Sequence, residues 1–412
     1  MKAKLSLGER RDRGIGFRRL RGVRRYAHLP IILFEGDIKM NIINEKFHNL
    51  EDVKKASEEE LERGLQELIT NITGLDEKSL AGMQARLDAK IKPLRSLGVL
   101  EDIAQQIAGI QGTAEPKITG KAVLLMAGDH GVVAEGVSAA PQEVTAELFY
   151  AYMNKNGGVN VIARSGGGDV IATDIGIVGP LNPPELMANR VKNGTDNMAK
   201  GPAMSRKEAL QALFTGAKVA RDAIDSGINL LATGEVGIGN TTPSSALISV
   251  FTGCSIEEVT GRGTGIKDDA LIHKQEIIKK AIEINNIDIK DPVGTLAKIG
   301  GLEIAALVGA ILEAAYKKVP IILDGIISTA AAVTAAQIAP LVAKYMISSH
   351  SSEEKGCRIG LEQLGLEPRI AFNMRLGEGT GAALMFPTID TALRVADEMA
   401  TYEAAGVTTG DY

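Results

Sequence analysis

Residues 228–246 read INLLATGEVGIGNTTPSSA. The first half is a short apolar run, too brief for a stable helix, and it ends abruptly in glycines and a carboxylate. The second half is small and hydroxyl-rich. That order reads as a buried strand, a glycine turn and the start of a helix. Three further segments repeat the layout: VLLMAGDHG at 123–131, VIATDIGI at 170–177 and VPIILDGIIS at 319–328. Ala-rich helical stretches such as 301–317 and 328–346 lie among them. Continuous apolar strands alternating with helices predict an α/β protein whose parallel sheet is covered on both faces. Ligands of such sheets bind outside the carboxyl ends of the strands. All four runs place glycine or polar residues there.

Composition agrees. The chain has 412 residues, 45% hydrophobic and 24% charged, with 46 glycines, few aromatics and no Trp. A core of Ala, Leu, Ile and Val suits helices on buried strands better than an all-β sandwich. Two cysteines, Cys254 and Cys357, exclude a disulfide framework and a four-thiolate zinc site. No apolar run reaches the ~18 residues of a membrane span, and a cytoplasmic enzyme is expected. A net charge of −5 argues against a nucleic-acid partner. The charge is unevenly spread. Residues 1–39 hold eleven Lys/Arg against four Asp/Glu, so +7, and the other 373 residues carry −12. The basic segment fits a targeting peptide poorly, because Glu9 and Asp12 interrupt it. A basic arm for an anionic surface and an upstream extension both remain open, with Met40 read as the natural start. Amphipathic helices follow at 52–72 and about 80–91, the second with Leu80, Met83, Leu87 and Ile91 inward.

Several motifs carry chemistry. In GEVGIGNTTPSSA (234–246) the glycines admit a ligand close to the backbone, and the following helix offers free N–H groups to an anion. It is neither a Walker loop nor GxGxxG. GRGTGIKDDALIHK (261–274) adds Arg262, Lys267 and Lys274 as anion contacts or as a solvated basic loop. Its Asp268 and Asp269 fit a helix start better than a magnesium site. In GDHGVVAEGVSAAPQEVT (128–145), Asp129, His130 and Glu135 cluster at a strand end without a G-x-S-x-G nucleophile; His130 reads as a structural hydrogen-bond partner. RLGEGTGAAL (375–384) isolates Glu378 between glycines. A carboxyl in a dry pocket has a raised pKa and suits proton abstraction near neutral pH; the alternative is a cap on the helix that follows.

Together AGDHGVVAEGVSAAPQEVT, GEVGIGNTTPSSA, GRGTGI, GGLEIAAL, LDGIISTAAAV, SSHSSEEKG and RLGEGTGAALMFP, in this order, resemble the nicotinate-nucleotide–dimethylbenzimidazole phosphoribosyltransferase family over about residues 45–405. The resemblance implies a Rossmann-like large domain (116–344) and a small helical domain from both ends of the chain (40–115 and 345–412). Residues 1–39 stay outside the fold. It implies a homodimer whose substrates are nicotinate mononucleotide and an aromatic base, with no cofactor and no metal. The products are α-ribazole phosphate and nicotinate, for cobamide assembly.

The family motifs map onto this sequence as follows. Glu378 is the expected general base, and Glu235 the contact to ribose and to charge developing at the anomeric carbon. Gly237, Asn240, Thr241 and Thr242 would surround ribose and phosphate. Gly263, Lys274 and Ser352 would hold the phosphate. Leu376 and Gly377 would line the base pocket. Ala140 and Leu148 stand where some members place Ser and Gln, so other benzimidazoles, purines or phenols enter as alternative bases. A non-catalytic nucleotide-binding protein is the other alternative.

Overall fold

A computed structural model describes residue 47, residues 50–263 and residues 265–408. The basic segment 1–39 lies outside the described residues. Five parallel strands form one sheet: β1 Lys121–Gly128, β2 Asp169–Gly176, β3 Leu230–Val236, β4 Ile321–Leu323 and β5 Met346–Ser348. Their order is β2-β1-β3-β4-β5. The first four match the apolar runs. The fifth, a three-residue strand, is an addition to the sequence reading. It also corrects the helix expected over 328–346, which covers only Ile326–Ile338 before Pro340 opens a 3-10 turn.

Strand periodicity divides the core in two. Leu124 and Met126 of β1, Leu231 of β3 and Ile321 and Leu323 of β4 pack on one face. Val123, Leu125, Ala232 and Ile322 pack on the other. Each buried branched side chain contributes about 1.5–3 kcal/mol, so both faces must be covered. Helices Arg206–Asp225, Leu302–Tyr316 and Ile326–Ile338 cover the first. Helices Val99–Gln111, Gly158–Ser165 and Met385–Glu398 cover the second.

The expected 52–72 helix is two helices, Leu50–Lys55 and Glu58–Asn71. Ser57 breaks it with a capping box, its hydroxyl accepting the Glu60 N–H while Glu60 accepts the Ser57 N–H. The 58–71 helix packs on the 206–225 and 302–316 helices, whereas Glu77–Asp88 packs on 99–111 and 385–398 at the opposite face. Ile91, expected inward, is exposed because the helix ends at Asp88. Helices 206–225 and 302–316 cross at two glycines. A Cβ on Gly309 would lie 1.7 Å from the Leu213 carbonyl oxygen, and one on Gly216 1.9 Å from that of Ala306. No helix among the described residues is long and apolar enough to cross a membrane.

The strand order reverses direction between β1 and β3, and that crevice is where doubly wound sheets bind ligands. The ends of β1 and β3 carry Asp129–His130 and Glu235; the neighbouring end of β4 carries Asp324.

Candidate active site

Glu235 is the centre of the site. It is buried at the end of β3. One carboxyl oxygen accepts the Asn240 side-chain amide at 2.5 Å, and the other accepts the Glu378 backbone N–H at 3.2 Å. Burial, and then the charge of Asp324, push its carboxyl up to about 7, against the pull of those two donors. The loop behind it is tight: a Cβ on Gly237 would meet the Gly128 carbonyl oxygen at 2.1 Å and the His130 ring at 3.4 Å.

Glu378 arrives from a distant turn. Gly377, Glu378 and Gly379 have φ of 80°, 65° and 94°. Left-handed backbone is cheap for glycine but costs a Glu of order 1–2 kcal/mol, so other contacts must hold the turn. Thr380 donates from its N–H and hydroxyl to the Gly377 carbonyl. Asp324 accepts the Gly379 and Ala382 N–H groups at 3.1 and 3.0 Å. Asp324 therefore caps the short helix Thr380–Ala383, and Glu378 does not. Its carboxylate turns away and accepts the Val159 N–H at 3.3 Å, at the start of the 158–165 helix. Burial raises the Glu378 carboxyl above its ordinary value, and the neighbouring Tyr152 hydroxyl and then the Val159 N–H oppose the shift. The raised direction is the one expected from the sequence.

The residues expected to hold the phosphate gather beside the next helix, Thr241–Thr252. Lys274 is 1% exposed, and its ammonium donates to the Thr241 hydroxyl at 2.7 Å. Burial depresses it to about 8, although Glu354 favours its charged form. A Cβ on Gly263 would lie 2.7 Å from that Thr241 hydroxyl and 3.5 Å from the Lys274 nitrogen. Glu354 accepts the Gly263 N–H at 2.9 Å. Thr242 holds a buried hydroxyl that makes no hydrogen bond. Ser352 accepts the Glu354 N–H at 3.3 Å and lies near Gly325, at the start of the 326–338 helix. Consecutive residues thus join the two halves: Asn240 holds Glu235, and Thr241 holds Lys274.

Leu376 is exposed, and both its side chain and the Glu378 carboxyl lie against Gly158. Ala140 sits in the turn before helix Val144–Met153, exchanging hydrogen bonds with Ser138. Leu148 lies one turn before Tyr152 on that helix, half-buried. Sequence reasoning named neither Asp324 nor Tyr152 nor Glu354 for the site. The quoted motifs contained Asp324 and Glu354, and an Asp directly after a strand was the available signal. His130 is a structural partner: its Nε2 lies 2.8 Å from the buried Glu303 carboxylate. Burial alone would lower the imidazole, and the charge and hydrogen bond of Glu303 more than offset it. Asp129 accepts the Thr145 hydroxyl and the Val178 N–H; Glu135 accepts the Asn197 amide. Asp268 pairs with Arg262 at a helix start. Among the described residues, no group of three His, Cys, Asp or Glu could hold a metal.

Comparison with known proteins places the chain in a family. The family model described as Phosphoribosyltransferase (DBI_PRT) matches residues 72–407. The chain is 49% identical over 348 residues to the nicotinate-nucleotide–dimethylbenzimidazole phosphoribosyltransferase of Desulforamulus reducens, covering 84% of this chain and 99% of the relative. It is 47% identical to the protein of the same name from Geotalea uraniireducens, with the same coverage. Among solved structures, CobT from Thermus thermophilus is similar with a TM-score of 0.77 and 40% identity, over 81% of this chain and all of that one. This chain belongs to the DBI_PRT phosphoribosyltransferase family.

Proposed function

We propose that the chain transfers the phosphoribosyl group of nicotinate mononucleotide to dimethylbenzimidazole or a related base. It yields α-ribazole phosphate and nicotinate for cobamide nucleotide-loop assembly. The observation that carries the reading is the Glu378 N–H bonded to Glu235, with the Asn240 that holds Glu235 followed directly by the Thr241 that holds buried Lys274, in a chain 49% identical to a relative of that name.

The chemistry follows from the groups present. Lys274, the Gly263 loop, Ser352 and the N-terminus of the 241–252 helix receive the phosphate. An arriving dianion would raise Lys274 from about 8 and keep it charged. Glu235, held by Asn240, faces the ribose hydroxyls and the positive charge that develops at the anomeric carbon. Gly237, Thr241 and Thr242 complete that wall. The aromatic base lies by Leu376, Gly377, Leu148 and Ala140. Glu378 takes the proton from the benzimidazole N–H. The opposite ring nitrogen forms its bond to the anomeric carbon as the bond to nicotinate breaks. The electron pair of that bond neutralises the pyridinium, and attack from the far face inverts the carbon to the α configuration. Base catalysis is typically worth ~10²–10⁴-fold, and alignment of the two flat substrates adds to it.

The same reading groups residues 40–115 with 345–412 as a smaller helical part. The packing of helix 385–398 on 77–88 and 99–111 supports that grouping, whereas strand 346–348 lies in the sheet and helix 58–71 packs on 206–225, so those two segments go with the larger part. It makes residues 116–344 the larger part, and the protein a cytoplasmic homodimer. Light scattering on the purified chain tests the dimer. The function itself is tested by offering nicotinate mononucleotide with dimethylbenzimidazole, other benzimidazoles, a purine and a phenol together, then identifying products by mass spectrometry. An α-ribazole phosphate as the main product supports the reading; binding without any glycoside sinks it.

A further inference from the structure

Tyr152 lies on helix Val144–Met153 and is only 2% exposed. Its hydroxyl is buried and makes no hydrogen bond of ordinary geometry, although it lies beside the Glu378 carboxyl. A buried hydroxyl left without a well-formed hydrogen bond is costly, and in a native fold it asks for an explanation. The two side chains meet across one turn. The Tyr152 ring presses on Gly157, where a Cβ would lie 2.3 Å from it; the Glu378 carboxyl presses on Gly158, where a Cβ would lie 3.3 Å from it. Asn160, at the same turn, ties the Tyr152 carbonyl and the Gly157 N–H. Val159 supplies the N–H that Glu378 accepts. The ring, the turn and the carboxylate therefore form one packed unit.

We propose that Tyr152 is a positioning residue for Glu378, donating its hydroxyl to the carboxylate when the substrates are bound. With the Val159 N–H it fixes the carboxylate from two sides and leaves a free lone pair aimed at the N–H of the incoming base. The proposal rests on Glu378 acting as the base. Tyr152 keeps its own proton throughout: burial, and then the Glu378 charge, push its hydroxyl far above the ordinary range. The only proton that moves passes from the aromatic base to Glu378. A donor to a carboxylate favours its charged form, so Tyr152 extends the pH range over which Glu378 can accept a proton.

The test is Tyr152→Phe in the full chain, which removes one oxygen and keeps the ring. The turnover assay should show KM for nicotinate mononucleotide unchanged within about twofold. The acid limb of kcat should move up by about 0.5–1 pH unit, the size expected for one lost hydrogen bond. In the Glu378→Gln background, the same substitution should add nothing. An unmoved acid limb, or an equal loss in both backgrounds, overturns the proposal. A carbon-13 titration of the Glu378 carboxyl in the folded wild type and in Tyr152→Phe, with nicotinate and dimethylbenzimidazole present, reads the contact without turnover. An upward shift in the variant supports the proposal, and coincident titrations overturn it. Wild-type protein that forms no glycoside counts against the assigned function, while this titration still decides the contact.

Discussion

Two buried carboxylate sites in this molecule are built on opposite terms. In the helix pair behind the sheet, Glu313 meets Arg221 in a two-pronged ion pair at 2.8 and 2.9 Å. Charge is matched by charge, and both groups are buried. At the strand ends, Glu235, Asp324 and Glu378 come together with no Lys or Arg ion pair to any of them among the described residues. They are held by N–H donors, an Asn amide and a His ring 4.0 Å from Asp324. All three carboxyls sit above their ordinary values, chiefly through burial. Leaving them unmatched costs stability and keeps them able to exchange protons, as the proposed proton transfer to Glu378 requires.

The contrast breaks most directly at Glu378. Glu378→Gln should lower kcat by about 10²–10⁴-fold and leave nicotinate mononucleotide affinity close to wild type by calorimetry. Near-normal turnover would remove Glu378 as the base. Glu313→Ala should do the reverse, costing about 3–5 kcal/mol because it strands a buried guanidinium. Denaturant unfolding reads that loss, and kcat of the remaining folded protein should stay near wild type.

Glu235 sharpens the comparison through pH. Its folded pKa, about 7, lies above the ordinary 4.5. The folded state therefore binds the proton more tightly than the unfolded chain does, and stability falls as pH rises from about 4.5 to 7. That penalty reaches at most about 3 kcal/mol. Glu235→Gln abolishes it, so its Tm relative to wild type should rise between pH 5 and pH 8, while turnover falls. A pH-independent difference in Tm would contradict this account.

Lys274 gives a smaller signal. Its free-enzyme value of about 8 predicts that KM for nicotinate mononucleotide climbs several-fold between pH 7.5 and 9. KM for the aromatic base should stay level. The smallest effect is expected at the other end of the chain. A protein beginning at Met40 should turn over within about twofold of the full chain, and loss of activity would tie residues 1–39 to the function.

Much of this organisation was legible because it is local. A strand buried on both faces must be a short apolar run, and its end must turn. The layout of 228–240, repeated at 123, 170 and 319, therefore revealed four of the five strands. Strand 346–348 escaped because three residues between a 3-10 turn and a polar loop carry no periodicity. Ile91 was misplaced because a helical pattern was extended past the last turn. Glu378 was legible as an isolated acid among glycines, but its neighbours were not. The cap on its turn comes from Asp324, 54 residues earlier, and its flank from Tyr152, more than 200 residues earlier.

The amino-acid sequence alone determined four of the five strands, where those strands end and that Glu235 and Glu378 are isolated acids among glycines, since each depends on a few adjacent residues. Only the tertiary structure decided that Glu235 accepts the Glu378 N–H, that Asp324 takes the capping role, and that consecutive residues Asn240 and Thr241 hold the carboxylate and the lysine. Those facts depend on which strand lies beside which. Parallel pairing brings residues far apart in the chain within hydrogen-bond reach, and burial then makes each such contact matter.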